Sequence, residues 1–430
     1  MITTVADGTA SDTTDPLQIL RIRTSFLQVK TFVRGLAVLV LLVLTGCQEA
    51  GKPAATPSDS GATNSPSGDT ALTIDGLEIT LVSDQVGVPR DVVQAGDRSL
   101  VVDQTGAIWV LEGGKVRTKP FLDIRSQVLE PGSSALELGL AGLALAPDFD
   151  SSGTLYTFST VPPRKKDDGD IQRVDVLTRW QADPDSLVVD PDSAKEIWSF
   201  PRTFLDHVGG ELVFDDDGML YAGVGADTGS EEAQDPKSFD GSVLQYDPKK
   251  GKPTIYSYGY RNPFRMTYDS EVGPIVAEPM FSEKDSQVSV PRKGGNAGYP
   301  TLSGQVSSCW SDGGAELDPL CEKTEDGDPL VPPAFEYPRA LGQIASGAFA
   351  YRSDQIPELT DKVIISDWQG GLFAATPGES PWPYDVWELP TIEPSPSDLL
   401  WDIGTDETGT IYLMFVEGNM QDGQLFAVTK

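Results

Sequence analysis

The chain has 430 residues and a formal net charge of −33, from 65 acidic and 32 basic residues. Such an excess of negative charge excludes a nucleic-acid binder, whose affinity rests on cations that neutralise phosphates; it reads instead as solubility and a salt-tolerant surface. Gly (43) and Pro (33) are abundant and long amphipathic helical patterns are hard to find, which points to an all-β protein with many turns.

Residues 1–47 read as a targeting segment. Arg21, Arg23, Lys30 and Arg34 form a basic flank, and residues 36–44 are an apolar stretch too short to span a bilayer as a stable helix. LTGC follows, ending at Cys47. A basic region, a short apolar core and small residues at the cut make a secretory signal. The LTGC ending resembles a bacterial lipoprotein signal, in which Cys47 is lipidated; an ordinary signal peptide with an incidental cysteine is the alternative. Residues 48–70 are rich in Ser, Thr, Pro, Gly and Ala and cannot bury a core, so they read as a flexible tether. This order predicts a cell-envelope protein held to the membrane by an N-terminal lipid, with its globular part, residues 71–430, facing the periplasm or the extracellular space. With Cys47 spent on the anchor, Cys309 and Cys321 make an even remainder, and a disulfide is the expectation. Two free thiols are the alternative; a metal site would have one histidine to draw on.

From residue 72 the chain repeats one unit: an apolar strand, a turn with Asp or Gly, and a second apolar strand often carrying Tyr or Trp. It recurs at 91–111, 142–160, 205–229, 266–279, 349–375 and 402–415. The spacing of roughly 50 to 80 residues is that of propeller blades with inserted loops. Each hairpin leaves one apolar face bare, so the copies must stack around an axis. Six copies predict a six-bladed β-propeller with four-stranded antiparallel blades. LEITLVSD (77–84) is expected to pair with the C-terminal GQLFAVTK and close the ring. Two separate β-sandwiches are the runner-up and explain the even spread of repeats less well.

The third repeat, LDHVGGELVFDDDGMLYAGVGADTG, holds the only histidine, His207, on the loop just before its first strand. Catalytic groups are often mounted on such loops, and imidazole has the unperturbed pKa nearest neutrality. The bland alternative is a histidine that caps a loop or binds a backbone carbonyl. The acidic run from Asp215 to Gly218 suggests a hairpin turn before it suggests a metal loop.

Four segments, in order, resemble the soluble, quinone-dependent glucose/sorbosone (aldose sugar) dehydrogenase family. They are GLAGLALAPDFDSSGTLYTFST, DHVGGELVFDDDGMLYAGVG, YGYRNPFRM (258–266) and GGNAGYP (294–300). The resemblance spans nearly all of 77–430 and implies a six-bladed propeller carrying pyrroloquinoline quinone and Ca²⁺ on one face, with a sugar as the small-molecule substrate. It implies His207 as the base that takes the proton of the anomeric hydroxyl, Asp227 as the acid beside it, and Arg261 as the cation that stabilises the reduced quinone. It implies cofactor contacts at Asp206, Asn262, Glu137 and Gln369. The chain departs from the family pattern in four places: Glu137 replaces a glutamine, Leu399 and Trp401 replace arginines, Gln369 replaces a lysine, and EPMFSEKDSQ (278–287) replaces the Ca²⁺ loop. These changes remove cations and add a carboxylate, so a trianionic ligand should bind more weakly. A non-catalytic propeller that binds carbohydrate or protein is the second expectation. A Ca²⁺-dependent lactone hydrolase lacks a clear ring of ligands.

Overall fold

The computed structural model describes residues 71–165, 167, 169–227, 231–279, 286–299, 330–338, 340–392, 396–397 and 399–430. The lipoprotein-type signal with Cys47, the tether, and Cys309 and Cys321 lie outside the described residues. No helix among the described residues is long and apolar enough to cross a membrane.

Neighbouring sheets cover both faces of the inner strands, so several are buried along their whole length, Leu220–Val224 and Ile411–Val416 among them. The described strands form six sheets. Their innermost strands are Pro89–Ala95, Leu140–Leu145, Gly209–Phe214, Arg265–Asp269, Ala345–Tyr351 and Leu399–Thr405. Each packs against the next and the last against the first, which closes a six-bladed β-propeller; the blades are numbered 1 to 6 in that order. The hairpins read from the sequence supply the first strands of every blade. Blades 1, 3 and 5 each carry a short fifth strand beyond the expected four: Leu122–Asp123 antiparallel on Ala107 and Ile108, and, in parallel, Gly295–Asn296 on Ser257 and Tyr258 and Leu72–Thr73 on Trp387 and Glu388.

Ring closure occurs in blade 6. Glu78–Ser83 pairs antiparallel with Gly423–Thr429, with Ile79 opposite Val428 and Leu81 opposite Phe426. The two ends of the domain thus lock one sheet, which leaves the ring without a gap.

The turns explain themselves locally. In blade 3, Asp215 Oδ1 accepts the N–H groups of Asp217 (3.0 Å) and Met219 (2.8 Å), and its Oδ2 accepts the hydroxyl of Tyr221 (3.1 Å). Blade 6 repeats the device: Asp406 takes the N–H groups of Thr408 and Thr410 and the hydroxyl of Tyr412 (2.9 Å). The acidic run at 215–218 is therefore an Asx-type hairpin turn with Gly218 in the left-handed region (φ 76°).

At the hub, charge is buried and paired. Arg265 of blade 4 forms ion pairs with Glu211 of blade 3 and Asp402 of blade 6 and donates to the carbonyl of Arg90 in blade 1. Arg90 is fully buried and donates from Nε to Ala141 O (2.7 Å), from Nη1 to Gln104 Oε1 (3.1 Å) and from Nη2 to Gly209 O (3.0 Å). Its guanidinium also lies 4.7 Å from the Phe264 ring centroid. One side chain thereby ties blades 1, 2 and 3 together next to the entry of blade 4.

Closure also supplies a test. Phe426 is fully buried between blades 5 and 6 and packs edge-on against Phe415 at 5.8 Å. Phe426→Ala should cost about 3–5 kcal/mol, as large-to-small changes in tight cores do. A loss below about 1 kcal/mol in urea melts would mean that the closing sheet is not part of the cooperative core.

Candidate active site

Inner strands of a propeller run in one direction, so the loops that precede them meet at one end of the ring. Glu137 precedes the inner strand of blade 2, His207 that of blade 3, and Arg261 and Asn262 that of blade 4. These four residues, named from the sequence, converge there.

His207 is 4% exposed and has φ 59°, a left-handed backbone that a non-glycine residue adopts at a cost. The following glycines make the close approach possible: a Cβ on Gly210 would lie 2.4 Å from that of Ala141, and one on Gly225 would lie 2.1 Å from His207 O. The Phe204 ring stands edge-on to the imidazole at 5.4 Å.

Imidazole Nδ1 lies 2.7 Å from the carbonyl oxygen of Ala226. A carbonyl only accepts, so Nδ1 carries the hydrogen and Nε2 keeps its lone pair. The Ala226 N–H in turn donates to Arg261 O at 2.8 Å. One residue therefore bridges the histidine and the Arg-Asn-Pro turn. Burial, then the Arg261 guanidinium, push the imidazole pKa down to about 4, with Glu137 and the Ala226 carbonyl pulling the other way. At neutral pH the ring is neutral and able to accept a proton.

The surrounding carboxylates are committed. Glu137 Oε2 accepts Val208 N–H (2.7 Å) and its Oε1 accepts Asn262 Nδ2 (2.9 Å), while Asn262 Oδ1 accepts Gly209 N–H (3.0 Å). Glu278 is buried, which raises its pKa; its Oε1 takes the backbone N–H groups of Arg261 and Asn262 and its Oε2 takes Gln287 Nε2. These two residues of the expected Ca²⁺ loop thus hold the Arg-Asn-Pro turn instead. The Arg261 side chain donates from Nη1 to Pro279 O (2.9 Å). Asp206 is half-buried; burial and the nearby Glu137 raise its pKa, and its main-chain oxygen accepts Arg173 Nη1 (2.8 Å).

Two expectations take a different form. Asp227 does not stand beside the imidazole as its orienting acid. Its carboxylate pairs with Arg202 Nη2 (3.0 Å) and accepts Thr203 Oγ1 (2.7 Å), because Ala226, inserted after Gly225, places a backbone carbonyl at Nδ1 instead. Gln369 is exposed on the turn after the second strand of blade 5, tied to Asp367 Oδ1 by its backbone N–H (2.9 Å), and does not join the His207 network. Leu399 is half-buried. Trp401 is fully buried, donates from Nε1 to Gln104 Oε1 (2.9 Å), and packs against Trp368 (5.0 Å) and Phe264 (5.4 Å).

Sequence reasoning missed Arg173 and Arg202. Arg173 is fully buried, pairs with Asp175 (2.7 Å), and donates to the carbonyls of Phe204, Asp206 and His207. Arg202 pairs with Asp240 and donates to Gly225 O (2.6 Å). For Arg173 the available signal was the Arg-x-Asp at 173–175, two charges on one face at the start of the strand Arg173–Asp183.

A β-propeller with a neutral imidazole and a guanidinium gathered at one end of its hub defines the class. Residues 87–375 match the family model described as Glucose / Sorbosone dehydrogenase, and the chain belongs to that family. It is 24% identical over 242 residues to the aldose sugar dehydrogenase YliI of Escherichia coli (strain K12), covering 53% of this chain and 61% of that protein. It is 30% identical over 212 residues to the Hedgehog-interacting protein of Homo sapiens, covering 42% of this chain and 30% of that protein. The chain thus spans less than two thirds of either relative. In three dimensions it resembles the apo soluble aldose sugar dehydrogenase of Escherichia coli (TM-score 0.64, 20% identity, 82% and 99% of the two chains). It also resembles the PQQ-bound aldose sugar dehydrogenase of Streptomyces coelicolor (TM-score 0.60, 18% identity, 82% and 98%). At these identities the likeness shows the fold.

The depressed histidine pKa carries a stability signature. The unfolded ring takes up its proton near pH 6.5 and the folded ring near 4. Between those values the unfolded state binds more protons, so folding stability falls as pH drops from about 6.5 to about 4, with no further loss from this group below that. The full difference is roughly 3 kcal/mol by the unit-per-1.36 kcal/mol rule. Urea melts of the wild type and His207→Asn at pH 7 and pH 5 should show a steeper acid loss in the wild type; parallel losses would place the imidazole in water.

Proposed function

We propose that this chain oxidises an aldose sugar at its anomeric carbon, with His207 as the general base. The observation that carries the reading is the imidazole with Nδ1 fixed on the Ala226 carbonyl, Nε2 left as a base, and Arg261 one residue away through Ala226. Family membership and the likeness to an aldose sugar dehydrogenase support it. Nε2 is placed to take the proton of the anomeric hydroxyl, and the Arg261 guanidinium to offset negative charge nearby; the oxidation is complete only when a bound two-electron acceptor receives the hydride from carbon. We also propose, from the LTGC segment, that the domain is anchored by lipid at Cys47 and works in the cell envelope.

The hydride needs an acceptor that amino-acid side chains cannot supply. Pyrroloquinoline quinone with Ca²⁺ is the one that the resemblance implies. The described residues suit the reacting end of such a group, a base beside a cation. They supply no cations for its three carboxylates: the three positions where cations were expected hold Leu399, Trp401 and Gln369. Among the described residues no three His, Cys, Asp or Glu side chains are grouped to hold a metal ion. Without those cations the tricarboxylate does not fit these residues.

That same neutral, aromatic replacement favours a second reading, a non-catalytic propeller that binds carbohydrate or protein on this face. The test is dye reduction by the purified protein with a panel of aldoses, with and without added quinone and Ca²⁺. Sugar-dependent reduction that falls by roughly 10² or more in His207→Ala, in protein that remains folded, is expected. No reduction with any aldose, in folded protein, would select the second reading.

A further inference from the structure

We infer that Glu137 is a positioning residue for His207: it holds the His207–Val208 peptide opposite Arg173, and so aims the imidazole. The inference rests on the reading of His207 as the base. The resemblance places residue 137 against a cofactor, but its carboxylate is 6% exposed and faces the loops of blades 3 and 4.

The geometry is that of one peptide plane gripped at both ends. The carbonyl of His207 accepts Arg173 Nη2 (3.2 Å), and the N–H on the same plane, that of Val208, donates to Glu137 Oε2 (2.7 Å). A plane held on both edges fixes ψ of His207 and φ of Val208. With those fixed, the left-handed φ of 59° at His207 has no soft torsion to relax through. Arg173 is itself fixed by Asp175 (2.7 Å) and grips the carbonyls of Phe204 and Asp206. On the other side, Glu137 Oε1 accepts Asn262 Nδ2 (2.9 Å), whose Oδ1 accepts Gly209 N–H (3.0 Å). The Gly209 carbonyl accepts Arg90 (3.0 Å), which ties this chain of bonds to the hub. Only after all this is the ring set on Ala226 O.

This arrangement requires two acceptor oxygens at position 137. Glutamine has one acceptor and one donor, so its amide nitrogen would face either Val208 N–H or Asn262 Nδ2, donor against donor. Rotating the Asn262 amide moves the conflict to Gly209 N–H without removing it. Changing Asn262 to aspartate as well resolves it. The carboxylate introduced at 262 would accept from both the glutamine amide introduced at 137 and Gly209 N–H, and the negative charge would stay within the same group of atoms. A carboxylate one methylene shorter at 137 would not span the gap.

The experiment reads the single imidazole of the full protein by ¹⁵N NMR at pH 7, in the wild type, in Glu137→Gln and in Glu137→Gln/Asn262→Asp. Kinetics of aldose oxidation run alongside. The wild type should show one tautomer, Nδ1–H. The single variant should populate both tautomers and lose kcat by tenfold or more with KM within about twofold, because the ring is misdirected while the sugar contacts remain. The double variant should recover the single tautomer and most of kcat. A folded Glu137→Gln protein with an unmoved tautomer would overturn the inference. If Glu137→Gln does not fold, the double variant decides: a folded double variant with the wild-type tautomer supports it, and failure of both makes Glu137 a fold residue and overturns it. If no aldose is oxidised by the wild type but the tautomer responds as stated, the proposed reaction fails and the positioning role stands.

Discussion

A left-handed backbone at a residue with a side chain is the constraint on which this site depends. His207 holds φ 59° where glycine would be the cheap choice, at a cost of order 1–3 kcal/mol. The conformation persists because its surroundings over-determine it. Arg173 holds the carbonyls on one side, Glu137 the next N–H on the other, and Gly225 leaves room that even a methyl group would fill. The result is an imidazole whose ring nitrogens are made unequal by a backbone carbonyl rather than by a carboxylate.

The propeller supplies what a loop alone cannot. Six inner strands bring loops from distant parts of the sequence to one end of a ring, and blade 6 locks it with strands from both ends of the domain. The buried guanidiniums do the remaining work across blades. Arg90 and Arg265 join blades 1, 2, 3, 4 and 6 at the hub, and Arg202 ties the outer edge of blade 2 to Gly225 and Asp240 in blade 3. Buried charges of this kind are costly unless paired or hydrogen-bonded: Arg265 and Arg202 sit in ion pairs, and Arg90 is held by hydrogen bonds to neutral acceptors. Arg90 illustrates the cost: burial, then Arg265 beside it, bring its pKa down to about 9.

Much of the fold was legible because period-two alternation and Asp/Gly turns are local signals, repeated six times, and because the closing pair is apolar at both ends of the domain. His207 and Arg261 were legible as residue types at the positions that the resemblance marks. What could not be read is direction. Glu137 looked like a ligand because the resemblance placed it there, but nothing in the sequence says that its two oxygens face Val208 and Asn262. Asp227 was the obvious acid near the histidine, yet one inserted alanine puts a main-chain oxygen at Nδ1, and backbone acceptors carry no residue signature. Arg202 closes a 15-residue strand and reaches into the next blade, a contact set by the packing of blades rather than by local pattern. Trp401, read as a lost cation, is a hub residue packed between Trp368, tilted against it, and Phe264, edge-on to it.

The central claim is that a buried, neutral imidazole feels the charge of the half-buried Arg261 guanidinium. The most direct test is a proton-NMR titration of the single histidine in the wild type and in Arg261→Gln. The account predicts a midpoint far below the usual 6.5, near 4, that rises when Arg261 is removed. A midpoint close to 6.5, or one indifferent to Arg261→Gln, would contradict it.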